Sequence, residues 1–236
     1  MMRRSGRSVL SAAAVLLVLL AGCASSTPRH TANPLDKWDP IEPFNRHVYR
    51  FNAGFDHWVL LPVIRVYDYV PEFARKGVRN VFSNFDEITT FINCVLQGAP
   101  KRSATTLARF LVNSTVGIGG LLDPASSLGL AAYDEDFGQT LGRWGLGPGP
   151  YLVIPIFGPS SLRDATGLAV DRVPLWPAQA FIVGDIGIVL SVITPIEVVS
   201  DRDWNDFRYG ELGPFEYELV RYMYLEYRKE LVEDAE

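Results

Sequence analysis

The N-terminal 22 residues decide which part of the chain is left to fold. Three arginines, Arg3, Arg4 and Arg7, precede an uncharged stretch at 9–20 that is rich in alanine, valine and leucine. A basic segment followed by an apolar segment is typical of an export signal. A membrane-spanning helix needs roughly 20 apolar residues, and this stretch is shorter. We therefore predict that residues 1–22 are removed and that the fold comes from the rest.

The predicted cleavage site carries a cysteine. Residues 20–23 read Leu-Ala-Gly-Cys, which resembles the lipobox of bacterial lipoproteins. The resemblance implies that Cys23 becomes the first mature residue and carries several acyl chains, which together make a firm anchor. Ala24 stands where the lipobox rule places an inner-membrane retention aspartate, so the resemblance also implies sorting to the outer membrane. The alternative is an ordinary signal with a chance cysteine.

The charge and cysteine content narrow the class of protein. The signal contains three arginines and no acids, so the mature part carries 19 basic and 27 acidic residues. This balance argues against nucleic acid as a partner, because phosphate binding needs a basic surface stripe. Once Cys23 is acylated only Cys94 remains, so no disulfide can form within the chain. We expect Cys94 to be a buried small hydrophobic residue.

The mature chain predicts one mainly α-helical domain at 34–233, joined to the lipid anchor by a flexible tether at 23–33 that is small and polar. A first helix is predicted at 40–58, and its apolar stripe is expected in the core. That stripe consists of Phe44, Val48, Phe51, Phe55 and Trp58. Further helices are predicted after Pro71, at 86–97, at 101–112, near 137–142 and at 214–233, with a short strand at 151–157.

Two segments depart from this regular pattern. Residues 117–159 are dense in glycine and proline, which predicts an irregular but ordered segment because apolar side chains are interleaved throughout. Residues 175–196 form the most apolar stretch of the mature chain, with Asp185 as the only charge. An ionisable group in a bilayer is costly and usually faces a cavity or a partner. We interpret this stretch as a membrane-dipping helix or helix pair; the alternative is a buried helix of a soluble domain.

The residues offer no catalytic constellation. The chain has three histidines, one of them in the tether, and no cluster with the spacing of a zinc site. No Gly-x-Ser-x-Gly elbow is present, and the glycine-rich run at 145–150 lacks the Lys-Ser/Thr of a phosphate loop. The neighbouring carboxylates Glu135 and Asp136 are expected on a solvated surface. We therefore expect no enzymatic activity, no cofactor and no metal.

A series of short motifs lies in the order of one known family between residues 34 and 171. The motifs are Asp39-Pro40-Ile41-Glu42, Asn45-Arg46, Phe51-Asn52, Gly77-Val78-Arg79-Asn80, Leu96-Gln97-Gly98, Asn113-Ser114-Thr115, residues 135–142, Trp144-Gly145, Gly149-Pro150-Tyr151-Leu152, Gly158-Pro159-Ser160 and Arg163-Asp164. On these motifs the chain resembles the VacJ family of outer-membrane lipoproteins, also called MlaA. Segment 135–164 is the most specific part, and beyond residue 174 the resemblance is looser.

The resemblance implies a helical ring that lies in the inner leaflet of the outer membrane around a central amphipathic channel. It implies removal of mislocalised phospholipid from the outer leaflet, which maintains lipid asymmetry. The implied partners are phospholipid, a trimeric porin and a soluble periplasmic lipid carrier that serves an inner-membrane ABC transporter. One alternative is a porin-associated scaffold lipoprotein without transport activity of its own, and a second is a lipid-degrading enzyme.

Five residues are candidates for lining or gating the channel: Phe51, Asn52, Arg143, Arg163 and Asp185. Phe51 and Asn52 lie in a segment that, by resemblance, controls the open state, so their deletion is expected to deregulate lipid flow. Either arginine could bind a lipid phosphate through a bidentate fork. For Arg163 the alternative is a structural ion pair with its neighbour in the sequence, which would fix the irregular loop.

Overall fold

The computed structural model describes residues 35, 39–184, 194–204 and 207–233. The predictions for the signal at 1–22, for acylation of Cys23, for the tether and for Asp185 concern residues outside these ranges. In the described part the protein is mainly helical, as predicted. The elements in chain order are α1 (Glu42–Phe55), a π-helical turn (Asp56–Leu60), α2 (Leu61–Tyr67), α3 (Glu72–Leu96), α4 (Pro100–Thr115), α5 (Pro124–Ser127), α6 (Phe137–Arg143), β1 (Tyr151–Ile154), β2 (Gly158–Ser161), α7 (Leu162–Val183), α8 (Thr194–Trp204) and α9 (Glu216–Glu233).

The first helical segment extends beyond the predicted end at 58. α1, the π-helical turn and α2 follow one another without a break. The backbone N–H of Leu61 donates to the carbonyl of Asp56, five residues earlier, which widens the turn. Pro62 has no N–H and would press on the carbonyl four residues before it, so the wider turn accommodates this proline.

α3 is a single helix of 25 residues where the sequence predicts two, one after Pro71 and one at 86–97. The apolar pattern weakens at Ser83 and Asn84, which lie between the two predicted helices. Asn84 is nevertheless buried, and its side-chain amide donates to Ser114 Oγ of α4 at 2.9 Å. Because α4 supplies this partner, the helix continues through the polar residues. The helices predicted at 101–112, 137–142 and 214–233 are confirmed with shifted ends.

A β-hairpin replaces the single strand predicted at 151–157. β1 ends at Ile154 and pairs antiparallel with β2, so that Tyr151 lies opposite Ser161. The turn between the strands places Ile156 at φ 72°, a left-handed conformation that costs free energy in a β-branched residue. α7 starts directly after β2 and crosses α6 closely, because a Cβ on Gly167 would lie 2.3 Å from the backbone nitrogen of Gly138.

Burial in this protein is inverted relative to a water-soluble domain. Among the residues that the structure describes, 22 polar or charged side chains are buried but only ten apolar ones. The main apolar cluster is small and joins α1, the hairpin and α9 through Val48, Tyr49, Tyr151, Val153, Tyr217 and Val220. Buried polar groups are rare in ordinary interiors unless they are paired, and large exposed apolar patches mark contacts with partners or membranes.

The apolar stripe of α1 shows the inversion directly. Phe44, Phe51 and Trp58 are 61%, 53% and 77% exposed, so the prediction that the whole stripe belongs to the core is wrong. Only Val48 is buried, and Phe55 is half-buried. The other buried side chains of α1 are Asn45, Tyr49 and Asn52, each of which carries a polar group. The periodicity correctly placed the apolar residues on one face but did not determine what that face contacts.

The apolar stretch at 175–196 is only partly described. α7 covers its first part up to Val183, and α8 begins at Thr194. None of the described helices combines the length and the apolar character that crossing a bilayer requires. Cys94 is fully buried, as predicted, and burial raises the pKa of its thiol.

Candidate functional site

A cavity of about 480 Å³ lies between α1, the π-helical turn, the hairpin turn, α8 and α9. Its wall is amphipathic. One part is apolar and includes Phe55, Leu60 and Phe157, and another part is charged and includes Arg172 and Asp201. A wall with both kinds of surface suits a ligand that has a polar and an apolar part.

The described part of the protein contains two smaller cavities. One of about 340 Å³ lies between α3, α4 and the segment at 123–134, and its wall is mainly polar. One of about 220 Å³ lies between α6, the hairpin, α7 and α9, and it shares Phe157 and Pro159 with the first cavity. Between the 340 Å³ and 480 Å³ cavities α3 contacts α8, where the guanidinium of Arg79 lies 3.3 Å from the ring centre of Trp204. The interior therefore contains several concave surfaces.

Two asparagines of α1 hold the hairpin at the edge of the 480 Å³ cavity. Asn45 donates to the carbonyl of Tyr151 at 2.9 Å and accepts from the N–H of Val153 at 3.0 Å. Asn52 repeats this pattern, donating to the carbonyl of Ile154 at 3.0 Å and accepting from the N–H of Ile156 at 2.8 Å. Each side-chain amide thus makes the pair of hydrogen bonds with the hairpin backbone that a neighbouring strand would otherwise make.

The spacing of these two asparagines fits both elements. Seven residues of α-helix rise about 10.5 Å, and three residues of β-strand rise about 10 Å. Asn45 and Asn52 therefore reach equivalent backbone groups at Tyr151 and Ile154 without bending either element. Both amides are buried and hydrogen-bonded, and Asn45 also donates to Asp39 Oδ1 at 2.9 Å, so neither is free for a ligand in its present position.

Ion pairs fix the helices around the cavities. Arg202 of α8 binds Asp56 of the π-helical turn with Nε–Oδ1 at 2.5 Å and Nη2–Oδ2 at 2.9 Å. Arg172 of α7 binds Glu197 of α8 at 2.9 Å. The Arg202–Asp56 pair is bidentate, which adds geometric specificity, and loss of one partner from either pair leaves an uncompensated charge. Asp56 is the first residue of the π-helical turn, and its carboxylate lies against α8.

Asp86 of α3 lines the 340 Å³ cavity, where its ionised form is unfavourable. The surrounding protein limits its hydration, and the nearby carboxylates Glu197 and Asp201 repel it, so its pKa rises to about 7. Asp201 of the neighbouring cavity behaves in the same way, with a pKa raised to about 6 by burial and by Glu197. The interior thus contains acidic groups that would gain from a cationic partner.

Replacing Asp86 with asparagine is expected to stabilise the protein at alkaline pH. In the unfolded chain an aspartate loses its proton near pH 4, but in the fold Asp86 holds it to about pH 7. The folded state is therefore progressively disfavoured as pH rises between these values. Thermal unfolding in detergent should show matching stabilities at pH 4 and a gain of about 1 kcal/mol for Asp86→Asn at pH 8, since water in the cavity screens the charge. Equal stabilities at both pH values would contradict this account.

Comparison with known proteins identifies the family. A family model described as MlaA lipoprotein matches residues 37–231. The chain belongs to the MlaA lipoprotein family. The match includes the region beyond residue 174, where the motifs alone gave a looser resemblance.

Relatives of this MlaA-family chain include named and uncharacterised proteins. It is 38% identical over 167 residues to the intermembrane phospholipid transport system lipoprotein MlaA of Escherichia coli K12, covering 69% of this chain and 65% of that protein. It is 35% identical over 163 residues to an uncharacterised protein of Rickettsia felis, again covering 69% and 65%. The chain thus spans slightly less than two thirds of the length of such relatives.

A solved structure shares the fold. A chain from work on the structural basis for maintenance of bacterial outer membrane lipid asymmetry superposes with a TM-score of 0.68 at 33% identity. The superposition covers 83% of this chain and 100% of that chain. The helical arrangement described above is therefore that of the MlaA family.

The candidate residues of this MlaA-family chain fall in different environments. Phe51 is exposed on the outer face of α1, whereas Asn52 is buried and lines the 480 Å³ cavity. The hydrogen bonds of Asn52 to Ile154 and Ile156 support a role for Asn52 in positioning the hairpin, and the effect of deleting both residues stays a prediction. Arg143 ends α6 and donates to Gln97 at 3.5 Å. Asp185 and Cys23 lie outside the described residues.

The geometry at Arg163 favours an ion pair over a lipid contact. The side chain is buried and binds Asp164 through Nε and Nη2, both at 2.9 Å. Asp164 also binds Arg228 of α9 at 3.0 Å, and these charges lower its pKa against the effect of burial. This is the alternative considered for Arg163, in which the pair fixes the loop. Charge reversal at Arg163 is the experiment that distinguishes the two roles.

The carboxylates at 135 and 136 were expected on a solvated surface, and this expectation is wrong. Glu135 is buried and binds Arg102 at 2.6 Å. Asp136 caps the start of α6 by accepting from the N–H of Gln139 at 2.8 Å, and it also binds Arg228. The motif therefore connects α6 to α4 and α9 through charge-assisted hydrogen bonds.

Sequence reasoning selected Asn52 but missed Asn45 and the cavity charges. Asn45 and Arg79 were quoted as parts of motifs without a role, and Asp56 and Asp86 were given no role either. One signal was present, because Asn45 and Asn52 stand two helical turns apart on one face of α1, about a quarter turn from the centre of the apolar stripe. In the described part of the chain no group of three or more His, Cys, Asp or Glu side chains could hold a metal ion.

Proposed function

We propose that this protein removes mislocalised phospholipid from the outer leaflet of the outer membrane and passes it to a periplasmic lipid carrier. The observation that carries the proposal is the inverted burial, with apolar side chains outside and polar, cavity-forming side chains inside. The E. coli relative, named as a phospholipid transport lipoprotein, supports the same role.

The physical argument follows the two halves of a phospholipid. Exposed apolar residues such as Phe44, Trp58 and Phe73 can contact acyl chains without a loss of free energy, because lipid tails are as apolar as the side chains. A charged headgroup cannot cross bare hydrocarbon without a large desolvation penalty. Cavities with charged walls lower this penalty, so we propose that they form the central channel of a ring that lies in the inner leaflet.

The proposed partners follow from the family. We propose that acylated Cys23 anchors the protein on the periplasmic side of the outer membrane, that the ring associates with a trimeric porin, and that a soluble carrier collects the lipid for an inner-membrane ABC transporter. The role is transport, without chemical change to the lipid. A passive channel follows the gradient that its partners impose, because a conduit without differential binding shifts no equilibrium.

Cells lacking this gene are expected to accumulate phospholipid in the outer leaflet. The wild-type gene should restore asymmetry, whereas Cys23→Ala should fail, because a chain without acyl groups has no stable attachment to the membrane. The measurement is the outer-leaflet phospholipid content of intact cells, with immunoblots of membrane fractions to control for expression. A second control, Cys94→Ala, removes the remaining cysteine and should restore asymmetry as well as the wild type does.

The competing function is a scaffold lipoprotein that binds porin without moving lipid. An unchanged outer leaflet in the deletion strain, combined with loss of porin association, would favour the scaffold. Transfer of intact phospholipid from vesicles by the purified protein would exclude it. Mass spectrometry of the same sample separates transfer from hydrolysis, since an enzyme would release lysolipid and fatty acid.

A further inference from the structure

Arg79 lines the 340 Å³ cavity and differs from three other arginines that line the cavities. Arg109, Arg172 and Arg202 each bind a carboxylate, namely Glu87, Glu197 and Asp56. Arg79 makes no ion pair with any residue that the structure describes. Its guanidinium instead stacks on the indole of Trp204, at 3.3 Å from the ring centre. Stacking holds the planar group in place and leaves its edge, with the N–H donors, available.

The surroundings of Arg79 leave its charge incompletely solvated. The side chain is half-buried between α3 and α8; burial lowers the pKa of its guanidinium, and the nearby charge of Asp201 opposes that shift. A partly dehydrated cation gains from an anion that can accept two hydrogen bonds side by side. A phosphate group offers this geometry.

Two carboxylates complete the wall of the same cavity. Asp86 and Asp134 have no side-chain hydrogen bond or ion pair with the described residues, and both line the 340 Å³ cavity. Both residues are exposed to solvent, but the protein around them reduces their hydration and raises the pKa of each. Asp86 stands two helical turns after Arg79 on the same face of α3, which is about 10.5 Å along the axis. A molecule whose phosphate and ammonium groups are joined by two carbon atoms could span this gap, with one charge-assisted hydrogen bond at each end.

We propose that this cavity selects zwitterionic phospholipids, with the phosphate bound by Arg79 and a primary ammonium bound by Asp86 and Asp134. The inference rests on the proposed function and adds a headgroup preference to it. An anionic headgroup that ends in hydroxyl groups would satisfy Arg79 but would leave both carboxylates without a counter-charge. Such a lipid should therefore bind less tightly.

The test measures which lipid the full-length acylated protein binds in detergent. The protein is incubated with equal amounts of phosphatidylethanolamine and phosphatidylglycerol that carry the same acyl chains, and native mass spectrometry quantifies both complexes. We expect about a tenfold preference for phosphatidylethanolamine in the wild type. Arg79→Gln should reduce binding of both lipids at least about tenfold, because a charged hydrogen-bond pair is lost. Arg79→Lys keeps the charge but loses the planar, stacked donor pair, so it should bind both lipids better than Arg79→Gln and less tightly than the wild type.

The carboxylate variants separate the two parts of the site. Asp86→Asn with Asp134→Asn should lower binding of phosphatidylethanolamine while leaving phosphatidylglycerol unchanged, so that the preference disappears. Arg50→Gln, an exposed arginine of α1, is the matched control and should behave as wild type. Circular dichroism of each variant confirms that it is folded.

The outcomes for the inference and for the proposed function are distinct. Equal binding of both lipids by the wild type, or unchanged binding by folded Arg79→Gln, would overturn the headgroup inference while leaving lipid removal intact. If the wild type binds neither lipid and the deletion strain keeps normal outer-leaflet phospholipid, the proposed function itself fails.

Discussion

Arg109→Leu is expected to lower the free energy of unfolding by about 3 to 5 kcal/mol, because it leaves a buried carboxylate without its partner. Arg109 and Glu87 are both buried and bind at 2.6 Å. Arg109 also donates to the carbonyl of Leu130 at 2.8 Å, which ties the segment after α5 to α4. Unfolding of purified protein in detergent, followed by circular dichroism against denaturant, measures the loss.

The pH dependence of this variant provides an internal check. Burial already raises the pKa of Glu87, while Arg109 opposes that shift. Without the arginine the pKa of Glu87 rises further above its unfolded value, so the deficit is largest at high pH and shrinks as Glu87 gains a proton. The deficit at pH 5 should therefore be clearly smaller than at pH 8.

Two further variants control for the loss of a large side chain. Arg50→Leu removes an exposed arginine from α1 and should change stability by less than about 0.5 kcal/mol. Adding Glu87→Leu to Arg109→Leu should recover part of the loss, since an apolar pair leaves no buried charge. A deficit that is unaffected by pH and by the second substitution would show that packing, not charge, dominates at this position.

Asn45→Leu is expected to destabilise the protein by about 3 kcal/mol and to release the hairpin from α1. Asn45 is fully buried and binds the carbonyl of Tyr151 and the N–H of Val153. Leucine has a similar volume but leaves both backbone groups without partners, at about 1 to 3 kcal/mol each. Hydrogen exchange of the hairpin amides, read by mass spectrometry, should accelerate most at Val153.

The site of faster exchange distinguishes local release from global loss of stability. Asn52→Leu removes the second amide, so exchange should accelerate most at Ile156, the residue that donates to Asn52. Uniform acceleration across all helices in both variants would mean that the asparagines stabilise the whole fold and do not specifically hold the hairpin. Because Ile156 and Phe157 line the 480 Å³ cavity, release of the turn would also change the cavity wall.

The inverted burial has a consequence for how the MlaA fold is stabilised. With few buried apolar side chains, burial of apolar surface contributes less to stability than in a soluble domain of this size. Charge-assisted hydrogen bonds between helices take a larger share, as in the connections of Arg228 to Asp136 and Asp164. Removing one residue of such an ion pair leaves a buried charge on its partner only partly compensated. The largest expected losses of stability therefore lie at polar residues.

Local patterns predicted the helices well and their boundaries less well. The helices at 101–112 and 137–142 were predicted because a proline or glycine marks their ends. The join at Pro62 and the continuous α3 were missed, since a π-helical turn and a partner amide from α4 override the local signal. The second strand was missed because Gly-Pro-Ser-Ser has no β-type alternation, and β2 forms only by pairing with β1.

The sequence by itself determined the family, the helical class and the set of side chains that share each helix face, because motif order and helical periodicity are local properties of the chain. Only the tertiary structure decided which face points inward. Periodicity is the same whether an apolar stripe contacts the core or the surroundings, so Phe51 was placed on the correct face with the wrong environment. The cavities likewise depend on side chains far apart in sequence, such as Arg79 and Trp204, whose contact exists only once α3 and α8 have packed.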